Sequence, residues 1–291
     1  MKNNEQGLSI VVPVYNEEHA IHDEMSRILA AAHALDCPAE LIVVDDGSDD
    51  ETATKLAVFK KNITLVRHDT NRGYGAALKT GIRQARYHLV AITDADGTYP
   101  IEDLPGLLAM MDEADMVVGA RTGANVQIPL VRRPAKWVLN MLANNLSGTH
   151  IPDLNSGFRV FRREVVQQYF HILPNRFSFT TTITLAMLAD GYRVKYTSID
   201  YAKREGSSKI RPSDAMGFLV LILRTITYFN PLRTFVPVFA VLSTLSVIKL
   251  AYDVFWLENL TDTTTLLFLM SLQVMLIGVV ADLIVKRAQR E

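Results

Sequence analysis

The 291-residue chain has one cysteine, no surplus of charge of either sign, and neither of the common glycine signatures for nucleotides. The single thiol, Cys37, excludes an internal disulfide framework and suits a reducing compartment; as a side chain it reads as a small apolar filler. Lys and Arg number 30 and Asp and Glu 31, a net charge of −1, which argues against a nucleic-acid binder that relies on a broad basic field. No GxGxxG follows the first strand and no GxxxxGK[ST] occurs, so dinucleotide and P-loop binding lack their fingerprints. The seven histidines form no HExxH or comparable spacing, which speaks against zinc. The opening MKNNEQG is polar and reads as no secretory signal. Internal repeats and low-complexity segments are also absent.

Charge is scarce in one place only. From Thr263 to Ala281 no charged residue occurs, a run long enough for a membrane-spanning helix at about 1.5 Å per residue. Phe235 to Ile248 is shorter. Alone it reads as a buried core helix; beside its neighbour it reads as the first arm of a hairpin, provided Lys249 snorkels or the helix continues to Tyr252. Arg224 and Arg233 precede the pair and Lys286, Arg287 and Arg290 follow it, whereas the intervening loop carries Asp253, Glu258 and Asp262. The positive-inside rule then places both ends in the cytoplasm. Ser213 to Phe229 is apolar with one central Arg, and fits either an interfacial helix or another buried helix.

Up to about Arg211 the pattern is that of a soluble α/β domain. Leu8–Val14, Leu41–Val44, Ile63–Arg67 and His88–Thr93 are near-continuous apolar runs, as expected for parallel strands covered on both faces. Helical patterns occupy Glu17–Leu35, Glu51–Lys60 and Ala76–Tyr87, with Ser48 or Asp49 as the expected cap of the second. This βαβαβαβ order predicts a doubly wound sheet whose ligands sit at the carboxyl ends of its strands. Those ends are acidic: Pro13-Val14-Tyr15-Asn16-Glu17, Asp45-Asp46-Gly47-Ser48 and Asp94-Ala95-Asp96-Gly97. One carboxylate there is usually a cap; three clusters on one edge suggest sites for a base, a ribose and a divalent metal. Asp94 and Asp96 project to the same side of an extended segment, and hard oxygen ligands suit Mg²⁺ or Mn²⁺. Asn71-Arg72-Gly73-Tyr74-Gly75 reads equally as a turn that starts a helix or as a close backbone approach beside a nucleotide.

Taken together, PVYNE at 13–17, VDDGS at 44–48, NRGYGAAL at 71–78 and DADG at 94–97 resemble the GT-A fold of inverting family-2 glycosyltransferases. NSGFRVF at 155–161, REGSSK at 204–209 and the apolar hairpin narrow the resemblance to polyprenyl-phosphate glycosyltransferases, the dolichyl-phosphate mannose synthase and GtrB-like group. It covers residues 7–211 in motif order. It implies a GT-A domain over 1–211, a juxtamembrane amphipathic helix over 212–231, and two transmembrane helices with a cytoplasmic tail over 232–291. The implied reaction moves a sugar from a UDP- or GDP-linked donor to undecaprenyl or dolichyl phosphate, with Mg²⁺ or Mn²⁺ as cofactor, at the cytoplasmic membrane face.

By the same resemblance, Pro13, Tyr15 and Glu17 line the nucleotide pocket, beside Asp45, and Asp46 holds the base or ribose. Asp94 and Asp96 hold the metal and diphosphate. Arg121 faces donor or acceptor phosphates, Asp153 acts as base or sugar-orienting group, and Arg204 and Lys209 sit on a loop that closes over phosphates. The family often has a polar side chain just after the DxD; here Gly97-Thr98 stands there, and no metal ligand is expected from it. Arg132, Arg133, Lys136, Arg159, Arg162 and Arg163 add positive charge that could be solvated, face anionic headgroups or touch substrate. A processive polysaccharide synthase would carry a QxxRW motif and more membrane helices, and a nucleotidyltransferase would carry a basic glycine-rich loop after the first strand. A catalytically inactive nucleotide-binding scaffold would not need the intact DxD. Self-association through the hairpin is compatible with two spans.

Overall fold

A computed structural model describes residues 7–126, 144, 148, 150–176, 178–202, 220, 227–228 and 230–288. Four parallel strands open the chain: β1 (Leu8–Val14), β2 (Ala39–Asp45), β3 (Thr64–Arg67) and β4 (Leu89–Ile92). Three more follow, β5 (Met116–Val126), β6 (Arg159–Arg162) and β7 (Val194–Tyr201), and complete a seven-stranded sheet of order β3-β2-β1-β4-β6-β5-β7. β6 runs antiparallel to both β4 and β5, so the sheet is mostly parallel with one reversed strand.

The chain leaves β1 toward β2 on one side and later returns to pair β4 on the other. That reversal of strand order is a topological switch point, and the crevice at the carboxyl ends of β1 and β4 is where such sheets bind ligands. The strands alternate between two cores, as a period of two requires. Ile10 and Val12 pack with Ile21, Met25 and Ile28 of α1 (Ile21–His33), on the face that also holds Leu104 and Leu107 of α4 (Leu104–Ala109). Val11, Ile42 and Val44 pack on the other face with Ala77, Leu78 and Ile82 of α3 (Tyr74–Gln84), and with Phe179 and Ile183 of α6 (Phe179–Ala189). Burial on both faces explains why these strands carry almost no polar residue.

Three helices differ in extent from the sequence expectation. α1 begins at Ile21 and not Glu17, after a turn whose Glu17 and Glu18 amides donate to Thr52 Oγ1 and Asp50 Oδ2. α2 covers only Thr52–Leu56 before a 3-10 turn over Ala57–Phe59. The expected cap by Ser48 or Asp49 is not formed: Asp50 Oδ1 accepts the Thr52 amide at 2.9 Å, and Ser48 Oγ accepts from Asn16. α3 stops at Gln84 because the Arg86 and Tyr87 amides turn to Glu40 Oε1 and Ser9 Oγ. A short α5 (Arg163–Gln168) follows β6.

At the C-terminal end α7 (Pro231–Tyr252) and α8 (Asp262–Ala288) pair into a hairpin, both long and apolar enough to cross a membrane. The first arm does continue to Tyr252, which at about 1.5 Å per residue gives spanning length. Lys249 pairs with the fully buried Asp253 at the turn, where Asp253 also accepts from Thr261 and Thr264. The arms approach closely at Gly278, where an added Cβ would sit 2.7 Å from Phe235 Cβ. The base of the hairpin touches the α/β domain: the Arg233 guanidinium lies against Gly148, and His171 Nε2 is 3.4 Å from the Tyr228 hydroxyl. The segment expected as an interfacial helix lies almost wholly outside the described residues.

Close packing of α3 on β1 gives a stability test. A Cβ at Gly81 would sit 2.3 Å from Val11 Cγ1, inside the second core. Overpacking of about 1–3 kcal/mol should exceed the roughly 1 kcal/mol gained in helix propensity. Gly81→Ala is therefore expected to lower the urea midpoint of the solubilised protein, and to cost much less when Val11→Ala is already present. Equal costs in both backgrounds would refute this packing account.

Candidate active site

The first two acidic motifs bind each other before they can bind anything else. Asn16 takes a left-handed φ of 52°, its amide donates to Ser48 Oγ at 3.0 Å, and its side chain exchanges hydrogen bonds with Asp49. The Glu51 amide returns to Glu18 Oε2, and Lys55 Nζ donates to the Glu18 carbonyl at 2.7 Å. Pro13 and Val14 end β1 in register with Val44 and Asp45, which leaves Tyr15 and Glu17, both partly exposed, at the crevice.

Asp45 and Asp46 are both buried. Asp45 Oδ1 accepts the Ser48 amide at 2.9 Å and Oδ2 lies 3.2 Å from Arg67 Nε. Asp46 accepts from His68 Nδ1 at 2.6 Å, from the Arg72 amide at 3.0 Å and from the Gly73 amide at 2.7 Å. Its carboxylate thus fixes the path of Asn71–Gly73, and Gly73 at φ 101° turns that path into α3. The close backbone approach in this loop is to protein: the Ala76 amide donates to the Asn175 carbonyl, and a Cβ on Gly75 would sit 2.2 Å from the Pro174 oxygen. The glycine pair does form the turn that starts a helix.

The third motif is where the separate stretches converge. Tyr74, first residue of α3, donates its hydroxyl to Asp94 Oδ1 at 3.0 Å. A Cβ on Gly157 would lie 3.0 and 3.1 Å from the Asp94 oxygens, so only glycine fits there unstrained, and its amide donates to the Tyr99 hydroxyl at 2.7 Å. Burial, then the neighbouring Asp94 charge, push the Tyr74 hydroxyl well above its ordinary pKa, so it stays a donor. Asp96 Oδ1 accepts from both the amide and the hydroxyl of the buried Thr98, the latter at 2.6 Å. Thr98 therefore orients Asp96. Beneath Gly97, Glu24 accepts from Arg27 Nη1 at 2.8 Å, and Arg27 also grips Glu102.

On the far side, Asp153 is fully buried and clamps Arg121 from two directions, Nε to Oδ2 at 2.6 Å and Nη2 to Oδ1 at 2.9 Å. The Arg121 and Asn155 amides add two more donors to the same carboxylate. Arg121 also lies over the Tyr201 ring. Desolvation works against its charge, but Tyr99 and the bonded Asp153 outweigh that and hold it well above its ordinary pKa. Arg159, Arg162 and Arg163 prove to be structural. Arg159 is fully buried, bonded to the Ser156 and Thr180 carbonyls and Thr184 Oγ1. Arg162 pairs with Asp115, and Arg163 donates to the Ala85 carbonyl. Arg132, Arg133, Lys136, Arg204 and Lys209 lie outside the described residues.

Comparison with known families settles what this edge belongs to. The model described as glycosyl transferase family 2 matches residues 9–170. The chain belongs to that family. A second model, the GtrB C-terminal hairpin, matches residues 230–286. The undecaprenyl-phosphate 4-deoxy-4-formamido-L-arabinose transferase of Pectobacterium carotovorum is 32% identical over 78% of this chain and 69% of its own length. Its namesake in Photorhabdus laumondii is 30% identical over 90% and 83%. Among solved structures, glucosyl-3-phosphoglycerate synthase of Mycobacterium tuberculosis, held with Mn²⁺, UDP and phosphoglyceric acid, superposes with a TM-score of 0.59 at 19% identity, covering 76% of this chain and 78% of that one. This likeness is one of fold, the GT-A arrangement.

Whether this family-2 site fits a divalent ion can be judged from its donors. Asp94 and Asp96 are carboxylates on one strand end, and no group of three His, Cys, Asp or Glu side chains suited to a metal occurs among the described residues. A pair of this kind fits Mg²⁺ or Mn²⁺ that takes its remaining ligands from water and substrate phosphates, and does not fit an all-protein cage. The sequence reading missed Tyr74, Tyr99 and His68. Tyr74 was visible inside NRGYG, but its partner lies 20 residues away across the sheet edge.

The Arg121–Asp153 clamp generates the second test. Asp153→Asn leaves a largely buried guanidinium without its counter-charge, a loss on the order of 3–5 kcal/mol. Denaturant titration should show that loss together with reduced turnover. Lost turnover at unchanged stability would show that Asp153 acts as a base and not as the anchor of Arg121.

Proposed function

We propose that the protein transfers a sugar, with inversion, from a UDP- or GDP-linked donor to a polyprenyl phosphate at the cytoplasmic face of the membrane. The observation that carries this reading is the convergence of Tyr74 and Gly157, from two separate motifs, on Asp94 of the DxD in a chain that also bears the GtrB-type hairpin. The Pectobacterium and Photorhabdus relatives are named for transfer to undecaprenyl phosphate, which supports that lipid as acceptor. Solved structures of glucosyl-3-phosphoglycerate synthase, which shares the fold, hold UDP with Mn²⁺ or Mg²⁺, which supports a uridine donor and a divalent cofactor. Basic residues at both hairpin ends and acidic ones in its turn favour a cytoplasmic catalytic domain and termini.

In this reading Asp94 and Asp96 hold the ion, which when bound neutralises charge on the leaving diphosphate. Tyr15, Glu17 and the Asp45–Asp46 turn shape the nucleotide pocket from the ends of β1 and β2. Arg121, held rigid by Asp153, presents its planar fork toward a phosphate of donor or acceptor, and Arg204 and Lys209, which follow β7 in sequence, add to its charge. A phosphate acceptor is already ionised near neutral pH. The chain's task is then to align it with the anomeric carbon and offset charge, which positioning and fixed electrostatics supply.

Purified full-length protein with Mn²⁺, undecaprenyl phosphate and a panel of nucleotide sugars should yield a lipid-linked sugar from at least one donor. Absence of product from every donor would overturn the transferase reading. EDTA should stop the reaction and excess Mn²⁺ restore it. Asp96→Ala should abolish transfer by at least a hundredfold while the variant stays folded and in the membrane; near-normal turnover would remove the metal assignment.

A further inference from the structure

Resting on that reading, we infer that Tyr74 is a positioning residue for the metal-holding carboxylate, and that it carries the geometry of the Asp45–Asp46 turn across to Asp94. Three observations support this. The Tyr74 hydroxyl donates to Asp94 Oδ1 at 3.0 Å, which fixes the plane and rotamer of that carboxylate. Gly157 closes over the same contact: a Cβ there would lie 3.0 and 3.1 Å from the Asp94 oxygens and 3.1 Å from the Tyr74 hydroxyl, so no side-chain atom can be added without crowding the pair. The position of the phenol is itself set by a chain of short steps, because Asp46 takes the Arg72 and Gly73 amides, Gly73 turns at φ 101°, and Tyr74 follows as the first residue of α3.

The ring does not depend on its hydroxyl for packing. It lies against the apolar cluster that includes Ala77, Leu78 and Phe179, so Phe can replace it there. What Phe cannot supply is the donor. An Asp94 without it keeps its charge but loses one of the contacts that orient it, and a ligand that must be ordered further on binding holds a cation more weakly. Partners of this kind, one step removed from the metal, typically change metal affinity by about 10–100-fold.

The test is Tyr74→Phe in the full-length protein, read by the electron paramagnetic resonance signal of free Mn²⁺ during titration with UDP present and no acceptor. Mn²⁺ affinity is expected to fall by about tenfold with the melting midpoint unchanged, and turnover should recover to within about threefold of the parent at saturating Mn²⁺. A merely structural role would lower the midpoint and would not be rescued by metal. Mn²⁺ affinity within twofold of the parent overturns the inference, and so does failure of the variant to fold, since the hydroxyl would then serve the fold. A parent protein that binds no Mn²⁺ with UDP overturns the metal reading itself and this inference with it. A parent that binds beside a variant that binds equally overturns the inference alone.

Discussion

The catalytic edge depends on one buried carboxylate beneath an exposed loop. Asp46 gathers the His68 ring and the amides of Arg72 and Gly73, and so decides where the loop between β3 and α3 runs. From that loop follow the start of α3, the position of the Tyr74 phenol and the setting of Asp94. His68 extends the arrangement inward, with Nε2 3.0 Å from Thr80 Oγ1 on the second turn of the same helix. A carboxylate that accepts several amides in a low-dielectric setting is worth more than the same bonds in water, and more costly to disturb. The acidic turn after β2 is thus structural support for the acidic turn after β4, whatever part it also takes in holding a nucleotide.

An edge crowded with carboxylates must balance its charge while no anionic substrate or cation is bound. This chain does so locally. Asp45 is met by Arg67, Glu24 by Arg27, Asp153 by Arg121, and Asp46 and Asp96 by amides and hydroxyls. Of these pairs only Arg121–Asp153 has both partners largely out of solvent, while Arg67 and Arg27 stay well exposed. A pair so buried adds little net stability compared with apolar packing, because desolvation offsets its attraction, and what it supplies is fixed geometry.

Much of this was legible in the sequence, for identifiable reasons. β1 was read over its full observed span because burial on both faces leaves an unbroken apolar run. The acidic strand ends and the glycine pair were visible because turns demand particular residues. The start of α1 was set too early because the turn before it is tied to distant residues: nothing near Glu17 announces that Thr52 and Asp50 will take the amides there. Arg159 shows the same limit from the other direction. Its charge suggested solvent, lipid or substrate, yet it is fully buried among carbonyls of the Ser156 turn and α6, a setting that only tertiary contact creates.

The fate of Asp153 bears on which acceptor the site can serve. Sugar hydroxyls are poor nucleophiles at neutral pH, and an enzyme that uses one normally needs a base with a lone pair aimed at it. The two oxygens of Asp153, expected as base or sugar-orienting group, accept four donors from Arg121 and Asn155. To take a proton it would have to release Arg121 and leave a buried guanidinium unpaired. A phosphate acceptor removes that demand, since it arrives already charged and asks mainly for a fixed cation to meet it. The clamp that occupies Asp153 is the same contact that makes Arg121 rigid enough to meet such an anion. The proposed lipid-phosphate acceptor therefore agrees with the internal chemistry of the site as well as with the apolar hairpin beside it.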